Sequence, residues 1–386
     1  MRERVLGVGV IGAGWMGHVH ARAYARLPHH YPDLGIRARL VAVADTVPAR
    51  AEDFADRYAP DRVHVDWAAL LKDPEIEAVS VTAPNAYHRD IAVAAARAGK
   101  HLWIEKPVGL TADDARAAAE AVARAGVQAT VGFNYRNLPA VARARRLIAD
   151  GAIGTPTHAR VTFLTDYAAH PAGALTWRFL RAQGGSGVLG DLGSHGVDLM
   201  RFLLGDVERL VADTAVFLPR RPLVAPGGSH YAVVDTPDQP TGAVENEDYV
   251  CALLRTRGGA RVTFEAGRTE VGAQNTYGFV VQGSAGLVGW DFRRAGELTV
   301  VAGGDYQNQP AATVSAGPGD GEYARFQPGA GIVMSYDDTK VIEAAAFLRS
   351  VGEGVPHGPT LEDAVRSAEV VDAMARSAAA SAWVEL

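Results

Sequence analysis

The amino-acid sequence predicts an α/β protein with two domains. In the first third of the chain, apolar strand-like segments alternate with alanine-rich helical ones, which indicates a doubly wound parallel sheet. Beyond Gly151, strand-like segments follow one another across tight turns such as 257–259, which is typical of antiparallel pairing. A chain of 386 residues also exceeds one typical domain. We therefore expect the parallel sheet in a domain over 1–135, and an α+β domain with a mainly antiparallel, open-faced sheet over 136–386.

Composition and charge argue against several classes of protein. The net charge is −6 and lysines and arginines form no dense cluster, which argues against a nucleic-acid partner. No apolar run reaches the ~20 residues of a membrane-spanning helix, and the N-terminus does not resemble a signal peptide. A single cysteine, Cys251, excludes an intrachain disulfide framework, and no His, Asp or Glu spacing indicates a metal site. We expect a metal-free protein of the reducing cytoplasm, without a membrane partner.

The first predicted strand begins at Val5 and leads into a glycine-rich turn. Gly12, Gly14 and Gly17 give the pattern G-x-G-x-x-G, and a helical pattern follows over 16–26. The first glycine permits a tight turn, the second lets a pyrophosphate approach the backbone, and the third lets the helix pack on the strand. The N-terminus of that helix attracts an anion. The pattern indicates a dinucleotide site, with an ordinary glycine-rich turn as the alternative.

The second predicted strand, over 38–44, ends at Asp45. A carboxylate at this place in a dinucleotide-binding domain accepts hydrogen bonds from the adenosine ribose and repels a 2′-phosphate. It stands further after Gly17 than is usual, because the loop-like segment 28–35 lengthens the connection. The alternative is that Asp45 simply precedes the helix predicted from Pro48.

Further predicted elements continue both patterns. In the first domain we expect helices at 48–58, 66–72, 88–99 and 111–126, and strands at 62–65, 76–82, 101–104 and 127–133. In the second we expect strands at 155–163, 207–216, 247–256, 260–267, 276–283, 286–292 and 297–301, and helices at 194–204, 338–350 and 360–379. Segments 219–243 and 303–331 are rich in proline and glycine and are predicted to be long loops.

Polar or glycine-rich segments follow five predicted strands of the first domain. The carboxyl ends of parallel strands meet at one edge of a sheet, where ligands bind. We therefore expect these segments to surround one ligand. They are Gly12–Gly17, Asp45, Ala83–His88, Glu105–Pro107 and Asn134–Arg136.

Lys106 stands between Glu105 and Pro107 after a predicted buried strand. A lysine near a nicotinamide ring polarises a substrate hydroxyl or carbonyl, and burial lowers a lysine pKa towards a working value. Glu105 is expected to pair with Lys106 or to hold the ribose of the cofactor. The alternative is a solvated lysine on a surface turn, which is where lysine is usually found.

Asp191 and His195 stand four residues apart at the start of a predicted helix. Positions i and i+4 share one face of a helix, and a carboxylate beside an imidazole orients it and raises its basicity. Such a pair suits a general base for a hydroxyl proton. Asp198 is a candidate for a second orienting acid. The alternative is that Asp191 caps the helix and His195 packs in its first turn.

Together these elements resemble the Gfo/Idh/MocA family of oxidoreductases over nearly the whole chain. Gly12–Gly17 is similar to the cofactor loop of the family, and Glu105–Pro107 is similar to its E-K-P signature, which contains the catalytic lysine. Residues 190–198 are similar to its catalytic Asp/His segment. The resemblance implies a Rossmann domain, NAD as cofactor, and Lys106, Asp191 and His195 as catalytic residues.

Further segments resemble the levoglucosan and inositol dehydrogenases within that family. They are 132–136, 151–154, 175–179 and 185–191. Where a levoglucosan enzyme is expected to have Gln and Trp, this chain has Thr165 and Tyr167. The resemblance therefore implies sugar chemistry and leaves the sugar open.

The expected ligand contacts fall into two sets. For the cofactor they are Gly12, Ala13, Gly14, Trp15, Met16, Asp45, Ala83, Pro84, Asn85, His88, Glu105, Lys106, Asn134, Trp177 and Arg178. For the substrate they are Lys106, Tyr135, Thr165, Tyr167, Asp191 and His195. Arg178 is expected to be held by Asp166 or by the cofactor, and Arg136 to reach a carboxylate such as Glu105.

The implied reaction is the NAD-dependent oxidation of a secondary hydroxyl to a ketone. The expected substrate is an unphosphorylated sugar, anhydrosugar or inositol. His195 takes the hydroxyl proton, Lys106 stabilises the oxyanion and Asp191 orients both, although which of Lys106 and His195 is the ultimate base stays open. An NADP-dependent sugar reductase and a non-catalytic cofactor-sensing regulator are the rival functions. The uncovered sheet face and the resemblance predict a homo-oligomer, a tetramer.

Overall fold

The computed structural model describes residues 4–224, 231–234, 236 and 238–386. The chain divides into two compact units, each built from two segments. The first unit comprises Met1–Asn134 and Ser335–Val365, and the second comprises Tyr135–Met334 and Arg366–Leu386. A segment near the end of the chain thus belongs to the first unit.

The bounds of the regular elements are as follows. The α-helices are α1 (Trp15–His30), α2 (Pro48–Tyr58), α3 (Trp67–Leu71), α4 (His88–Arg97), α5 (Ala112–Ala125), α6 (Pro139–Ala149), α7 (Arg181–Gly184), α8 (Ser194–Leu204), α9 (Tyr336–Glu353) and α10 (Leu361–Ala380). The strands are β1 (Arg4–Ile11), β2 (Ile36–Ala44), β3 (Arg62–His64), β4 (Ala78–Val81), β5 (His101–Ile104), β6 (Ala129–Val131), β7 (Pro156–Thr165), β8 (Val207–Ala215), β9 (Arg220–Pro222), β10 (Thr241–Ala243), β11 (Tyr249–Thr256), β12 (Arg261–Gly267), β13 (Asn275–Gly283), β14 (Gly286–Asp291), β15 (Glu297–Ala302), β16 (Ala312–Ser315) and β17 (Val384–Glu385). Among the described residues, no helix has both the length and the apolar content needed to cross a membrane.

The first unit contains a parallel sheet in the order β3-β2-β1-β4-β5-β6. The order reverses between β1 and β4, and ligands bind at such a switch point in doubly wound sheets. Ile11, the last residue of β1, lies opposite Ala44 of β2 and Val81 of β4, so the three strands end level with one another. The predicted Rossmann arrangement is confirmed, and the predicted segments follow the ends of its strands along the chain.

Helix α9 completes the first unit from the far end of the sequence. Its N-terminus has a reciprocal capping box, in which Ser335 accepts from the backbone of Asp338 and Asp338 accepts from the backbone of Ser335. Arg22 of α1 donates to both carboxylate oxygens of Asp337. The Arg22–Asp337 pair joins α9 to α1, the helix that follows the glycine-rich turn.

The second unit is built on a nine-stranded sheet in the order β16-β15-β14-β13-β7-β12-β11-β8-β17. Its neighbouring strands are antiparallel except for β7 and β12. Along β11, buried Val250 and Leu254 alternate with exposed Cys251 and Leu253, so one face is covered and the other is open. Gly196 of α8 packs on the covered face. The predicted mainly antiparallel, open-faced sheet is confirmed.

Two stretches predicted to be loops contain strands. Segment 219–243 includes the antiparallel pair β9 and β10, although positions 225–230, 235 and 237 lie outside the described residues. Segment 303–331 includes β16 at the edge of the large sheet. The loop prediction was wrong at these places because proline and glycine content reports local backbone preference, whereas pairing depends on a partner strand.

Candidate active site

The glycine-rich turn between β1 and α1 has the shape that a dinucleotide loop requires. Gly12 has a φ of +99°, and a Cβ there would lie 2.7 Å from the backbone nitrogen of Ala83. A Cβ on Gly17 would lie 2.2 Å from the carbonyl oxygen of Gly12. Close packing at both ends of the turn therefore depends on glycine. Among the described residues, a Cβ on Gly14 would meet no atom within 4 Å apart from its neighbours in the chain, so the middle of the turn borders open space.

The start of α1 is prepared for an anion. Within the described residues, no side chain caps the first turn of α1, and that turn contains no acidic residue. Its backbone N–H groups and the positive end of the helix dipole suit the pyrophosphate of a dinucleotide. The residues present, including Ala13, Trp15 and Met16 at this turn, therefore fit NAD.

Asp45 is fixed beside this turn by two backbone groups. Its Oδ2 accepts from the N–H of Ala13 at 2.8 Å, and its Oδ1 accepts from the N–H of Val47 at 2.8 Å. The second bond lies at the start of α2, so Asp45 also supports that helix, as the alternative interpretation expected. Each carboxylate oxygen has a second lone pair that can accept from a ribose hydroxyl.

His88 joins the loops that follow β4 and β5. Its Nδ1 lies 2.7 Å from the carbonyl oxygen of Pro107, and its Nε2 lies 2.6 Å from that of Ala83. Burial lowers the pKa of His88. Asn85 is buried beside it in the turn 85–87. His88 thus holds the backbone around Lys106 instead of presenting a free imidazole.

Glu105 and Lys106 have different surroundings. Glu105 is buried, and its carboxylate binds His20 and Lys340, two partners that the sequence did not indicate. Lys106 is partly exposed directly beyond it. Asn134, expected at the cofactor, is fully buried, and its Nδ2 donates to the hydroxyl of Thr339 on α9 at 2.9 Å.

In the second unit, Asp191 is held by two side chains. Its Oδ2 accepts from the hydroxyl of Tyr167 at 2.8 Å, and its Oδ1 pairs with Nη1 of Arg178 at 3.2 Å. The sequence predicted that Asp166 or the cofactor holds Arg178. In the structure the carboxylate partner of Arg178 is Asp191. Burial and the charge of Asp191 raise the pKa of Tyr167, which keeps its hydroxyl a proton donor. The guanidinium of Arg178 also stacks on Trp177, 4.6 Å from the ring centroid.

Asp191 and His195 do not lie on one regular α-helix. Residues Leu189–Gly193 form a π-helical segment that runs into α8. Such segments often occur at functional sites. The helix prediction missed this wider turn because the local sequence pattern is the same for both helix types.

His195 lies in an aromatic setting at the start of α8. It is 8 % exposed, and its carbonyl oxygen accepts from the hydroxyl of Tyr277 at 3.0 Å. The ring of Tyr135 meets the imidazole edge-on, with 4.9 Å between centroids. Packing of this kind holds a ring in one orientation. Tyr135, expected at the substrate, therefore supports His195 directly.

Two other predicted residues have structural partners. Arg136 donates to both oxygens of Asp198, through Nε at 2.8 Å and Nη2 at 2.5 Å. The sequence predicted that Arg136 reaches a carboxylate such as Glu105. In the structure that carboxylate is Asp198. Thr165 is buried at the end of β7, and its hydroxyl donates to the carbonyl oxygen of Gly267 at 3.4 Å.

Sequence reasoning missed Tyr231 near the Asp191 group. Its ring centroid lies 6.2 Å from that of Tyr167, and the side chain is largely exposed. The signal available was an aromatic residue in a segment predicted to be a loop, where binding residues are frequent. An aromatic residue in a loop does not by itself indicate that its ring contacts Tyr167.

The Rossmann sheet, the dinucleotide loop and the carboxylate of Asp45 define a nucleotide-binding oxidoreductase fold. Residues 6–133 match the model of an oxidoreductase family described as having an NAD-binding Rossmann fold. Residues 141–288 match the model of the GFO/IDH/MocA C-terminal domain. The chain therefore belongs to the Gfo/Idh/MocA family of oxidoreductases, and its cofactor domain binds NAD.

Individual relatives resemble the chain along almost its full length. The levoglucosan dehydrogenase of Pseudarthrobacter phenanthrenivorans is 35 % identical over 385 residues, which is 99 % of this chain and 98 % of the relative. The inositol 2-dehydrogenase of Rhizobium meliloti is 28 % identical and covers 96 % of both chains. A solved structure of a levoglucosan dehydrogenase with NADH and levoglucosan matches with a TM-score of 0.92, at 33 % identity and 99 % coverage of both chains.

Proposed function

We propose that the protein is an NAD-dependent dehydrogenase that oxidises one secondary hydroxyl of an unphosphorylated sugar, anhydrosugar or inositol to a ketone. The observation that carries the proposal is the Asp191 carboxylate, held by Tyr167 and Arg178 four residues before His195. A protein that only senses its cofactor has no need of such a set. The similarity to levoglucosan and inositol dehydrogenases supports the choice of substrate class.

Lys106, Asp191 and His195 form the proposed catalytic set. His195 accepts the hydroxyl proton, because imidazole is the side chain best suited to this task near neutral pH. Lys106 stabilises the negative charge that develops on the substrate oxygen. Asp191, which is kept in one orientation by its two donors, is proposed to orient His195. When bound, NAD supplies the hydride acceptor.

The proposed cofactor contacts are those that the loops provide. The turn 12–16 binds the pyrophosphate, and Asp45 binds the adenosine ribose and disfavours a 2′-phosphate. Ala83, Pro84 and Asn85 lie in the segment after β4 that borders the switch point, and His88 begins α4 directly beyond it. Trp177 and Arg178 are also proposed to contact the cofactor.

The proposed substrate site favours a neutral ring. Tyr167 and Tyr231 offer aromatic faces and hydroxyl groups, which suit a polyol. Phosphate recognition requires a cationic side chain aimed at the phosphate, but Arg136 and Arg178 are each paired with a carboxylate. Thr165 and Tyr167 differ from the Gln and Trp expected in a levoglucosan enzyme, so the preferred ring is proposed to differ from levoglucosan.

A substrate panel tests the function. Purified protein is assayed with levoglucosan, inositol isomers and monosaccharides, each with NAD or NADP, by the absorbance of the reduced cofactor. Turnover of at least one neutral ring is expected in the wild type and not in Lys106→Ala. Failure with every neutral ring, or a preference above about tenfold, some 1.4 kcal/mol, for the phosphate ester of the best one, contradicts the proposal.

A further inference from the structure

A buried ionic network lies beneath the end of β5 in the first unit. Nζ of Lys340, on α9, donates to Oε1 of Glu105 at 2.5 Å and to Oε1 of Glu343 at 2.8 Å. Nε2 of His20, on α1, lies 3.1 Å from the same oxygen of Glu105. Nε1 of Trp103 donates to Oε1 of Glu343 at 2.6 Å. All five side chains are more than nine-tenths buried, so the network connects α1, α9 and β5 away from solvent.

Burial determines which groups carry charge. It lowers the pKa of His20 to about 4, so the imidazole is neutral at pH 7 and donates Nε2–H to Glu105. Burial by itself disfavours the Glu105 carboxylate, but Lys340 and His20 hold the pKa of Glu105 below its usual range. Burial raises the pKa of Glu343 to about 7. Lys340 is therefore the cation that compensates the negative charge of Glu105. It also compensates the charge of Glu343 when that carboxyl group is ionised.

Lys340 takes the place that a metal ion would need. His20, Glu105 and Glu343 are metal-binding side chains, and their ligand atoms lie within 4.8 Å of one another. The ammonium of Lys340 is paired with both carboxylates of this group. The charges of the group are thus balanced by the chain itself.

The network reaches the proposed catalytic lysine through a single peptide unit. Glu105 follows the last residue of β5, and its backbone N–H donates to the carbonyl oxygen of Val81 at 2.9 Å. Gly132 leaves room for the Glu105 side chain, since a Cβ there would lie 2.6 Å from Oε2. Glu105 is thereby fixed by His20, by Lys340 and by the backbone at Gly132. Lys106 is the next residue.

We propose that Lys340 is a positioning residue, which holds Glu105 and thereby sets the place of the Lys106 ammonium at the end of β5. The inference rests on the catalytic role proposed for Lys106. The competing explanation is that the network only stabilises the fold. Buried ion pairs often add little net stability compared with apolar replacements, so stability alone is a weak reason for this one.

Two variants perturb the network from opposite sides. Lys340→Met removes the cation while keeping a side chain of similar length, and Gly132→Ala displaces the Glu105 carboxylate while keeping Lys340. Arg22→Met is the matched control, because it breaks another ion pair between α1 and α9, with Asp337.

Both network variants are expected to lower kcat at least about tenfold, with the KM for the cofactor nearly unchanged, because misplaced catalytic groups reduce the rate more than they reduce cofactor binding. Arg22→Met is expected to keep the wild-type kcat.

A second measurement does not depend on any substrate. The chain has four lysines, at 72, 100, 106 and 340, so reductive methylation with carbon-13 formaldehyde gives a simple NMR spectrum. The Lys106 resonance is assigned with Lys106→Arg. It is expected to move in Lys340→Met and in Gly132→Ala, and to stay in place in Arg22→Met.

The two measurements separate the two proposals. A wild-type enzyme that oxidises no polyol would reject the proposed function and leave the resonance test valid. An unmoved Lys106 resonance in folded Lys340→Met or folded Gly132→Ala protein overturns the positioning role, whatever the kcat. Should Lys340→Met fail to fold, Gly132→Ala decides the question, because it retains the buried cation.

Discussion

The carboxylate of Asp45, at the end of β2, accepts a hydrogen bond from the backbone N–H of Ala13, in the turn after β1, at 2.8 Å. This bond gives the carboxylate a fixed place beside the dinucleotide loop. A 2′-phosphate at the adenosine ribose would bring like charges together there, in a partly desolvated site. The structural relationship therefore leads to a prediction about the choice of cofactor.

The wild-type protein is expected to prefer NAD over NADP at least about tenfold in kcat/KM, equivalent to some 1.4 kcal/mol. Asp45→Ser is expected to reduce this preference, because it removes the charge that repels the 2′-phosphate. Asp53→Ser, at an exposed position on α2, serves as the control and should leave the preference unchanged. Comparable efficiency of the wild type with both cofactors would refute the role of Asp45.

Replacement of the acid–base groups is expected to affect kcat far more than cofactor binding. Lys106→Ala and His195→Ala should each lower kcat by at least about 10²-fold, the usual contribution of acid–base assistance. NADH binding, followed by its fluorescence, should persist in both variants. Lys72→Ala and His29→Ala, at exposed positions, are the matched controls. A near-normal kcat in His195→Ala would remove His195 from the mechanism.

Acid is expected to destabilise the first unit through His20. Burial holds the pKa of His20 at about 4, below the usual value of 6.5 expected in the unfolded chain. The folded state therefore binds fewer protons than the unfolded state between these values, and the stabilisation present above pH 6.5 is lost as the pH falls. The full difference is on the order of 3 kcal/mol.

This acid effect is measured by chemical unfolding of wild type and His20→Gln at several pH values. Gln keeps a donor for Glu105 but does not titrate, so the advantage of the wild type should shrink between pH 6.5 and 4. His29→Gln, on the exposed side of α1, should follow the wild type at every pH. A constant difference between wild type and His20→Gln across this range would disprove the assignment.

The open face of the nine-stranded sheet is expected to be an interface between copies of the chain. Leu253 is 51 % exposed on this face, and apolar sheet faces of this kind mark association sites. Sedimentation should show a species larger than the 40.7 kDa chain, of about four copies. Leu253→Glu should reduce its mass, while Val333→Glu, at another exposed apolar position, should not. A monomer alone at micromolar concentration is the outcome that contradicts this prediction.

The local patterns in the sequence predicted the elements that short segments determine by themselves. Buried strands with glycine or polar residues at their ends predicted the sheet and the turn at Gly12. The position of Asp45 after its strand predicted its place beside that turn. These features depend on backbone geometry within a few dozen residues, which the sequence displays directly.

Such local patterns do not predict contacts between segments that are distant in the sequence. Lys340 and Glu105 stand 235 positions apart, and their bond depends on how α9 packs against α1. The bonds of Asp191 to Tyr167 and Arg178 likewise depend on where β7 ends relative to a π-helical turn. Because lysine is usually found at the surface, the local pattern around Lys340 did not indicate a buried network.

The division of the first unit into two chain segments has a consequence for synthesis. Trp103 and Glu105 leave the ribosome long before Lys340 and Glu343, with nearly all of the second unit made in between. At the usual rates of translation this interval lasts roughly 10 to 50 seconds. During this time Lys340, the cation that pairs with Glu105 in the folded protein, has not yet been made. A nascent chain that stops after β6 therefore lacks a part of its own nucleotide-binding unit. The coenzyme-binding half of the protein is begun first and completed nearly last.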